Sequence, residues 1–276
     1  MFLATFLWSL NFIVSKVALR QWHPVLLTGM RTILALIICL PLYWKERPFD
    51  WTWPLFFRYL GLGSLGMALN QIFFALGVKQ TSVAHGALIV GMTPIFVYFL
   101  SAAIGQEEFR PKKLIGMGIA IAGIGILQMN SSGQSSFLGD CLVLLGVMSF
   151  TVFTVFSKPL SGRLSITGTV TLNYLGATIL LLPATVGVGQ HFRWNELLPI
   201  SWLCVLFMAA VPSVLCFFLY YRVLRGLTPS KLSAFTYLQP LLASSMAIPL
   251  LGETLAFNLV GGGLLILLGV WLTEKF

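Results

Sequence analysis

The sequence predicts an all-α integral membrane protein with ten transmembrane helices, arranged as two inverted five-helix repeats. Three observations lead to this prediction. The composition is strongly apolar, apolar runs of helix length follow one another along the whole chain, and one residue pattern occurs twice at a constant spacing.

The composition excludes an ordinary soluble domain. Of the 276 residues, 58% are hydrophobic and 9% are charged, and the mean hydropathy is +0.92. A typical soluble domain carries about 25% charged residues. The apolar runs have the length that a membrane-spanning helix requires and lack the alternation of barrel strands, so the sequence indicates a helical membrane protein.

Ten apolar runs are separated by polar residues, prolines or glycines. They cover residues 2–19, 24–43, 54–77, 82–104, 113–130, 137–157, 165–185, 197–220, 232–251 and 257–273. Pro41 and Pro183 are predicted to end the second and seventh helices, because proline lacks a backbone N–H. The amino terminus has neither the positive region nor the cleavage site of a signal peptide, so we interpret the first run as a spanning helix.

The net charge of +9 does not indicate a nucleic-acid partner, because the basic residues stand in short loops between apolar runs. If the amino terminus is cytoplasmic, twelve basic residues lie on the inner side: Lys45, Arg47, Arg58, Arg110, Lys112, Lys113, Lys158, Arg163, Arg222, Arg225, Lys231 and Lys275. Four lie on the outer side: Lys16, Arg20, Lys79 and Arg193. This excess predicts that both termini are cytoplasmic.

The repeated pattern indicates an internal duplication. An apolar run that opens at a proline, ends at a glutamate and continues into a glycine-rich run has its key residues at Pro94, Glu107, Gly116 and Gly123. The same residue types recur 146 positions later, at Pro240, Glu253, Gly262 and Gly269. Near the start of each half, Ser15-Lys16 recurs as Ser157-Lys158, 142 positions later. We therefore predict a first repeat over residues 1–130 and a second over 131–276.

Five helices in each repeat make the repeats inverted, because an odd number brings the chain to the opposite membrane face before the second copy begins. Inverted repeats are typical of transporters that alternate access to a site near the bilayer midplane. Pro94 and Pro240 are predicted to interrupt their helices and so to supply a hinge or a free carbonyl for a ligand. A static kink that a neighbouring side chain fills is the alternative.

The residues also resemble a known family. Trp8-Ser9-Leu10-Asn11-Phe12 with Lys16, then Arg31 in the second run, then the doubled pattern are similar to the EamA family of the drug/metabolite transporter superfamily. The resemblance covers nearly the whole chain. It implies ten helices in two inverted repeats and export of small metabolites, amino acids or drug-like compounds, often by proton exchange. Because family members differ widely in substrate, the resemblance names none.

Polar side chains at mid-membrane depth are costly and tend to face a cavity or a partner helix. With an aromatic wall, the candidate substrate-binding residues are Trp8, Asn11, Arg31, Asn70, Gln71, Thr93, Asn173, Tyr174, Tyr237 and Gln239. Interhelical hydrogen bonding is the alternative for the polar ones, and the interfacial aromatic belt for Trp8. Arg31 is the only fully charged side chain deep in an apolar run. Its guanidinium can hold a carboxylate or phosphate with two hydrogen bonds. The alternatives are that it pairs with helix-end carbonyls or extends toward a polar layer.

The acidic residues at the ends of runs are expected to be structural. Glu107 and Glu253 would cap the next helix or pair with basic residues such as Arg110 and Lys112. No convincing proton relay is visible, and His85 and Asp140 are the candidates that the sequence offers. No cysteine or histidine pattern indicates a metal site, and no cofactor is expected.

Together these features predict an alternating-access secondary transporter that exports small metabolites across the cell inner membrane. A channel-like uniporter is the alternative, and a membrane-embedded enzyme is disfavoured because no H-E-x-x-H, G-x-S-x-G or paired intramembrane aspartates occur. We hypothesise a small zwitterion or organic anion with its carboxylate near Arg31 and its apolar part against Trp8, Tyr174 and Tyr237. The expected partners are this substrate and the bilayer. Proton coupling, and the choice between a monomer and a homodimer, stay open.

Overall fold

The computed structural model describes residues 1–45, 52–81, 83–128, 136–251 and 257–275, and all regular structure in these ranges is helical. We number the helices within them α1 (Phe2–Ala18), α2 (Pro24–Trp44), α3 (Trp53–Val78), α4 (Val83–Gly91), α5 (Thr93–Ala103), α6 (Pro111–Gln128), α7 (Phe137–Ser157), α8 (Ile166–Gly189), α9 (Pro199–Gly226), α10 (Pro229–Ala234), α11 (Leu238–Leu251) and α12 (Phe257–Lys275). The all-helical prediction is therefore confirmed for the described residues.

Each of the ten predicted runs is helical where the structure describes it. The helices outnumber the runs because α4 and α5 both lie in the fourth run, and α10 and α11 both lie in the ninth. Within the described residues, five helices are long and apolar enough to cross a membrane: α2, α3, α7, α8 and α9. Helix α9 continues past the predicted end at residue 220. Tyr221 and Leu224 are buried there while Arg222 and Arg225 are exposed, so the final turns are amphipathic rather than uniformly apolar.

Two predicted helix ends are wrong. Helix α2 continues beyond Pro41 to Trp44, and α8 continues beyond Pro183 to Gly189. A proline removes one backbone donor, which membrane helices tolerate when neighbouring helices and local hydroxyl groups satisfy the freed carbonyls.

Prolines instead mark where helices begin. The first turns of α2, α3, α5, α6, α9 and α10 contain, in that order, Pro24, Pro54, Pro94, Pro111, Pro199 and Pro229. At these positions the backbone N–H has no intrahelical acceptor, so its absence costs little. Helix α8 begins with a side-chain cap, since the Ser165 hydroxyl accepts a hydrogen bond from the Gly168 N–H at 2.9 Å.

Extensive packing joins helices from opposite halves of the chain. Helix α6 packs on α12, α2 on α8, α3 on α7 and α8, and α1 on α9 and α11. The contact between α3 and α7 is antiparallel, because Leu65 bonds to Ser149 whereas Asn70, further along α3, bonds to the earlier residue Gly146. These contacts bring residues more than 60 positions apart into one core.

Two of the buried clusters contain predicted site residues. The larger contains aromatic side chains of α7, α8 and α9, among them Phe153, Tyr174, Phe217, Tyr220 and Tyr221. The second lies among α5, α6, α11 and α12 and contains Tyr98, Met117, Tyr237, Leu238 and Ile266. We call them the first and the second cluster.

Candidate functional site

Helices α3 and α9 each contain a π-helical turn, at Ser64–Leu69 and Ala209–Leu215. These are the third helices of the two sequence halves. A π turn shifts the backbone hydrogen bonds by one residue and frequently marks a functional site. The two turns therefore direct attention to the side chains that bond to them.

The π turn of α9 receives side chains from α1 and α2. Trp8 of α1 donates from its indole nitrogen to the Pro212 carbonyl at 3.0 Å. The Ser213 hydroxyl donates to the Met208 carbonyl at 2.8 Å. In a regular α-helix this carbonyl would accept from the backbone N–H of residue 212, but Pro212 has no N–H. Arg31 Nε lies 2.6 Å from Ser213 Oγ and donates to it. The interruption of α9 thus holds the two most distinctive residues of the first half.

Arg31 is a buried cation, with 8% of its surface exposed. It forms no ion pair with a carboxylate of the described residues. By contrast, Lys113 pairs with Glu107, Arg110 with Glu108 and Arg193 with Glu196. The Ser213 hydroxyl accepts a hydrogen bond from one of the five N–H groups of Arg31. Within the described part of the chain, its two terminal nitrogens have no acceptor. An arginine in this state is suited to binding a ligand carboxylate or phosphate.

Two residues of α8 accompany Arg31. Tyr174 is completely buried beside Arg31 and Ser213, and its hydroxyl makes no hydrogen bond of acceptable geometry with any described residue. Asn173 donates to the Tyr221 hydroxyl at 2.5 Å, while its own side-chain oxygen has no partner among the described residues. Unpaired buried polar atoms are costly, so these two have capacity for a ligand.

Trp8 lies in the first cluster. Its ring centroid is 5.7 Å from that of Phe217 and 6.2 Å from that of Tyr220, and the Tyr220 hydroxyl donates to Thr154 Oγ1 at 2.9 Å. The ring centroid of Tyr174 also lies 6.2 Å from that of Phe217. Trp8, Arg31, Asn173 and Tyr174 therefore all meet around one stretch of α9.

A different group of predicted residues lies in or near the second cluster. Helix α4 ends at Gly91 and α5 begins at Thr93, whose hydroxyl donates to the Val90 carbonyl at 2.6 Å. In the other half, a 3-10 turn at Phe235–Tyr237 separates α10 from α11. The Tyr237 hydroxyl is buried without a partner among the described residues, and Gln239 is buried nearby in sequence.

The two prolines lie in first turns of new helical segments rather than inside continuous helices. Pro94 occupies the first turn of α5, and Pro240 is the third residue of α11. Neither proline therefore removes a mid-helix hydrogen bond, as the sequence had suggested, because the helix is already interrupted before it.

Three amide residues complete the predicted set. Asn70 donates to the Gly146 carbonyl at 3.0 Å and so ties α3 to α7. The side-chain oxygens of Asn11 and Gln71 are buried without a partner among the described residues. Phe12 follows Asn11 in α1, and Phe74 lies beyond Gln71 in α3. Their ring centroids are 5.2 Å apart, so α1 and α3 approach each other at this level.

An apolar cleft between α2, α3 and α8 avoids these residues. It has a volume of about 230 Å³ and is lined by Leu36, Leu40, Tyr43, Phe56, Leu164, Thr171, Leu172 and Leu175. None of the predicted substrate-binding residues lines it, and its chemistry does not select a polar ligand. In the described ranges, no group of three potential metal ligands comes together.

Glu107 bonds across the molecule. It pairs with Lys113 at 3.1 Å and accepts from the Ser230 N–H of α10 at 2.9 Å, so the helix that it caps is distant rather than the next one. Arg110, a predicted partner, pairs with Glu108 instead. Glu253 and the His85 side chain lie outside what the structure describes. Asp140 accepts a hydrogen bond from Thr81.

Sequence reasoning did not place Ser213 or Tyr221 among the site residues. Ser213 anchors Arg31, and Tyr221 links Asn173 to Ser157 through a further bond of 3.3 Å. Pro212 in the middle of the eighth apolar run was the available signal. It marks an interruption in the same way as the repeated prolines.

The chain is similar to known proteins over nearly its whole length. The sequence model described as the EamA-like transporter family matches residues 1–129 and 137–274. An uncharacterized transporter of Archaeoglobus fulgidus is 26% identical over 279 residues, which is 97% of this chain and 95% of the relative. The uncharacterized transporter YwfM of Bacillus subtilis is 26% identical, over 97% and 90% of the two chains.

Two further similarities concern location and fold. The uncharacterized inner membrane transporter YedA of Escherichia coli is 25% identical over 91% of this chain and 81% of its own. A solved crystal structure shares the fold with a TM-score of 0.82 at 18% identity, covering 99% of this chain and 96% of the other. Since the family match extends over nearly all residues, the chain belongs to the EamA-like transporter family.

Proposed function

We propose that this protein is an alternating-access secondary transporter that exports small metabolites across the cell inner membrane. The substrates would be amino acids or related organic anions and zwitterions, with drug-like compounds as a wider class. The observation that carries this proposal is Arg31, a buried guanidinium without a carboxylate partner among the described residues. Such a group is expensive inside a membrane and is typical of substrate pathways.

Packing between α6 and α12 supports the inverted repeat. A Cβ atom on Gly116 would lie 2.9 Å from the Gly269 oxygen, and one on Gly123 would lie 2.7 Å from the Gly262 oxygen. By sequence, Gly262 is the counterpart of Gly116 and Gly269 is the counterpart of Gly123. Gly116 thus packs on the counterpart of Gly123, and Gly123 packs on the counterpart of Gly116. This pattern is expected when a two-fold axis passes through an antiparallel helix contact.

The helix interruptions support alternating access. The fourth and ninth runs are each divided into two helices, at Met92 and at Phe235–Tyr237, and the third and eighth each contain a π turn. Interrupted helices in corresponding positions of two repeats are typical of transporter sites. Here we place the hinges next to Pro94 and Pro240, although these prolines begin segments rather than kink them.

Basic residues set the proposed orientation. Glu107, Lys113, Lys158 and Arg225 lie at one end of the bundle, which we call the Glu107 face. The excess of lysine and arginine in the loops of this end favours a cytoplasmic location for it and for both termini.

The substrate is proposed to bind around the π turn of α9. Its carboxylate would accept hydrogen bonds from the terminal nitrogens of Arg31. The Tyr174 hydroxyl and the Asn173 side-chain oxygen would bind its other polar groups. Asn11 and Gln71 would reach it from α1 and α3, and Tyr237 and Gln239 from the second cluster. Trp8 and Asn70, which already have protein partners, would shape the pocket rather than bind.

A transport assay tests the proposal. Protein in proteoliposomes is given labelled amino acids in turn, and uptake into vesicles preloaded with the same compound is measured. We expect at least one to be exchanged, and Arg31→Gln to reduce that exchange at least about tenfold, as loss of a bidentate carboxylate contact would. Arg193→Gln is the matched control, since Arg193 is an exposed arginine whose ion pair is with the exposed Glu196.

Two results would count against parts of the proposal. Undiminished exchange in Arg31→Gln would remove Arg31 from the site. Net flux of a labelled amino acid at rates far above a transporter's turnover, with no acceleration by substrate on the opposite side, would favour the channel-like alternative over alternating access.

A further inference from the structure

A buried ionic bridge at the Glu107 face joins the two halves of the chain. The side chains of Glu107 and Lys113 are 3% and 7% exposed, and Lys113 Nζ lies 3.1 Å from Glu107 Oε2. Ser230 donates its backbone N–H to Glu107 Oε1 at 2.9 Å, and its hydroxyl donates to Glu107 Oε2. Lys113 also donates to the Ser230 hydroxyl at 3.1 Å. Every charged oxygen of Glu107 is therefore bonded.

The local backbone is built to place this bridge. Helix α5 ends in a tight turn, where Gly105 adopts a positive φ of 74° and the Gln106 N–H bonds back to the Ser101 carbonyl at 2.8 Å. This is the glycine-terminated helix end that reverses the chain. It turns Glu107 inward. Lys113 lies 5.0 Å from the centre of the Tyr98 ring, a cation–π distance.

The bridge connects parts of the two interrupted helices. Glu107 follows α5, which is the Glu107-face portion of the fourth run, and Ser230 lies in the first turn of α10, the Glu107-face portion of the ninth. Helices α5 and α10 pack against each other. The bridge therefore spans a contact that would have to separate if this face opened.

The second half does not repeat the residue types of the bridge at the constant spacing. At the constant spacing of 146 residues, the counterpart of Glu107 is Glu253, but Leu259 stands where Lys113 would recur. Ser230 corresponds to Ala84, and Tyr98 corresponds to Ser244. The glutamate is duplicated, whereas its cation, its hydroxyl and its aromatic support are not.

We propose that the Glu107–Lys113–Ser230 bridge is a one-sided lock on alternating access. It holds the Glu107 face closed in the resting protein, while the opposite face, whose counterpart positions lack the lysine and the serine, opens more readily. The lock rests on the transporter function proposed above and adds a difference between its two gates. Removing one partner leaves the other buried and unpaired, which strongly destabilises the closed contact.

Spin-label distances test the lock without a substrate. Cys39, Cys141, Cys204 and Cys216 are replaced, and nitroxide labels are attached at Ile104→Cys and Gly226→Cys to report on the Glu107 face. Ile104 is 42% exposed, and a Cβ at Gly226 meets nothing within 4 Å. A second pair, Gln80→Cys with Val260→Cys, reports on the opposite face. Distances are measured in lipid nanodiscs by electron–electron double resonance.

Both Glu107→Gln and Lys113→Met are expected to increase the ratio of long to short distances at the Glu107 face at least about tenfold, because each breaks a buried pair. Lys113→Arg keeps the charge and should change the ratio little. Neutralising the exposed pair Arg193–Glu196 is the control and should leave the distances unchanged. If Lys113→Met does not fold, Ser230→Ala, which removes only a hydroxyl, takes its place with a smaller shift in the same direction.

The reverse construction provides a second test. Leu259→Lys combined with Ala84→Ser introduces the lysine and the serine of the bridge at their counterpart positions, and the ratio of long to short distances at the opposite face should fall. Unchanged ratios in folded Glu107→Gln and Lys113→Met proteins would overturn the lock. If instead wild type and all variants show one fixed distance at both faces, and exchange assays show no transport, alternating access itself fails.

Discussion

Gly63 of α3 lies directly against the backbone of Asn173 in α8. A Cβ atom on Gly63 would be 1.9 Å from the Asn173 carbonyl oxygen, and one on Gly176 would be 2.1 Å from the Leu60 oxygen. The two backbones therefore touch through glycine on both sides, as small residues allow in membrane helices. This contact fixes the height of Asn173, and with it the neighbouring Tyr174, relative to the first half.

Substituting Gly63 by alanine should therefore separate α3 from α8. We expect Gly63→Ala to destabilise the protein by about 1–3 kcal/mol, since an overpacked contact must shift backbone. Gly61→Ala is the matched control two residues away, because a Cβ there meets nothing within 4 Å. Thermal unfolding in detergent compares the two variants. Equal melting temperatures would contradict the close approach.

The hydrogen bonds to the two π turns should contribute similar amounts to the free energy of unfolding. Trp8→Phe keeps an aromatic ring but removes the donor to Pro212, and Ser149→Ala removes the donor to the Leu65 carbonyl, which lies 2.7 Å from the Ser149 hydroxyl. Interhelical bonds in membrane proteins contribute about 0.6 kcal/mol on average. We expect a loss of this order from each variant in the unfolding free energy, measured by titration with a denaturing detergent. Thr151→Ala, which removes a bond within α7, is the control.

Ser213 should act on Arg31. Ser213→Ala leaves the guanidinium with one partner fewer, and we expect a loss of about 1.5–3 kcal/mol in unfolding free energy, the range for bonds to charged groups. In Arg31→Gln the same serine substitution should cost less, because the charged donor is already gone. A double-mutant cycle of the four proteins measures this coupling. Strict additivity would mean that the bond has no energetic weight.

Protonation of His23 should weaken the start of α2. His23 Nδ1 accepts a hydrogen bond from the Val25 N–H at 3.4 Å, which requires a neutral ring. Burial, and then the positive charge of Lys79, lower the pKa of His23 below its usual 6.5. Because the unfolded chain then binds a proton more readily than the folded one, this contribution is present above pH 6.5. It is lost as the pH falls toward the lowered pKa.

The measurement for His23 is the melting temperature at pH 7.5 and pH 5.5. His23→Asn keeps a capping side chain that does not titrate, and it should reduce the difference between the two temperatures. His191→Gln is the control for a second histidine near a helix end. A pH difference that is the same in wild type and His23→Asn would show that other groups cause it.

The sequence predicted the helices well because the length and hydropathy of a segment are local properties. All ten apolar runs are helical where the structure describes them. Errors arose where local rules competed with surroundings. Pro41 and Pro183 do not end helices, and α9 extends through an amphipathic segment that hydropathy alone underestimates.

The sequence named candidate site residues but not their arrangement. Depth in the membrane singled out Arg31 and Tyr174, whose burial agrees with that reasoning. Depth could not separate Tyr237 from them, although it lies in the second cluster. Nor could it identify Ser213 as the partner of Arg31, because the two are 182 positions apart.

By itself, the sequence determined that this chain is a helical membrane protein and where its apolar segments lie, because composition and length are written along the chain. The constant spacing of its repeated pattern predicts in addition that the two halves are related. Only the tertiary structure decided which helices touch and which polar groups meet. Arg31 depends on a π turn of α9, and Glu107 depends on the first turn of α10. Those bonds exist because distant helices pack through glycine and interrupted turns, a property of the folded arrangement that no single segment carries.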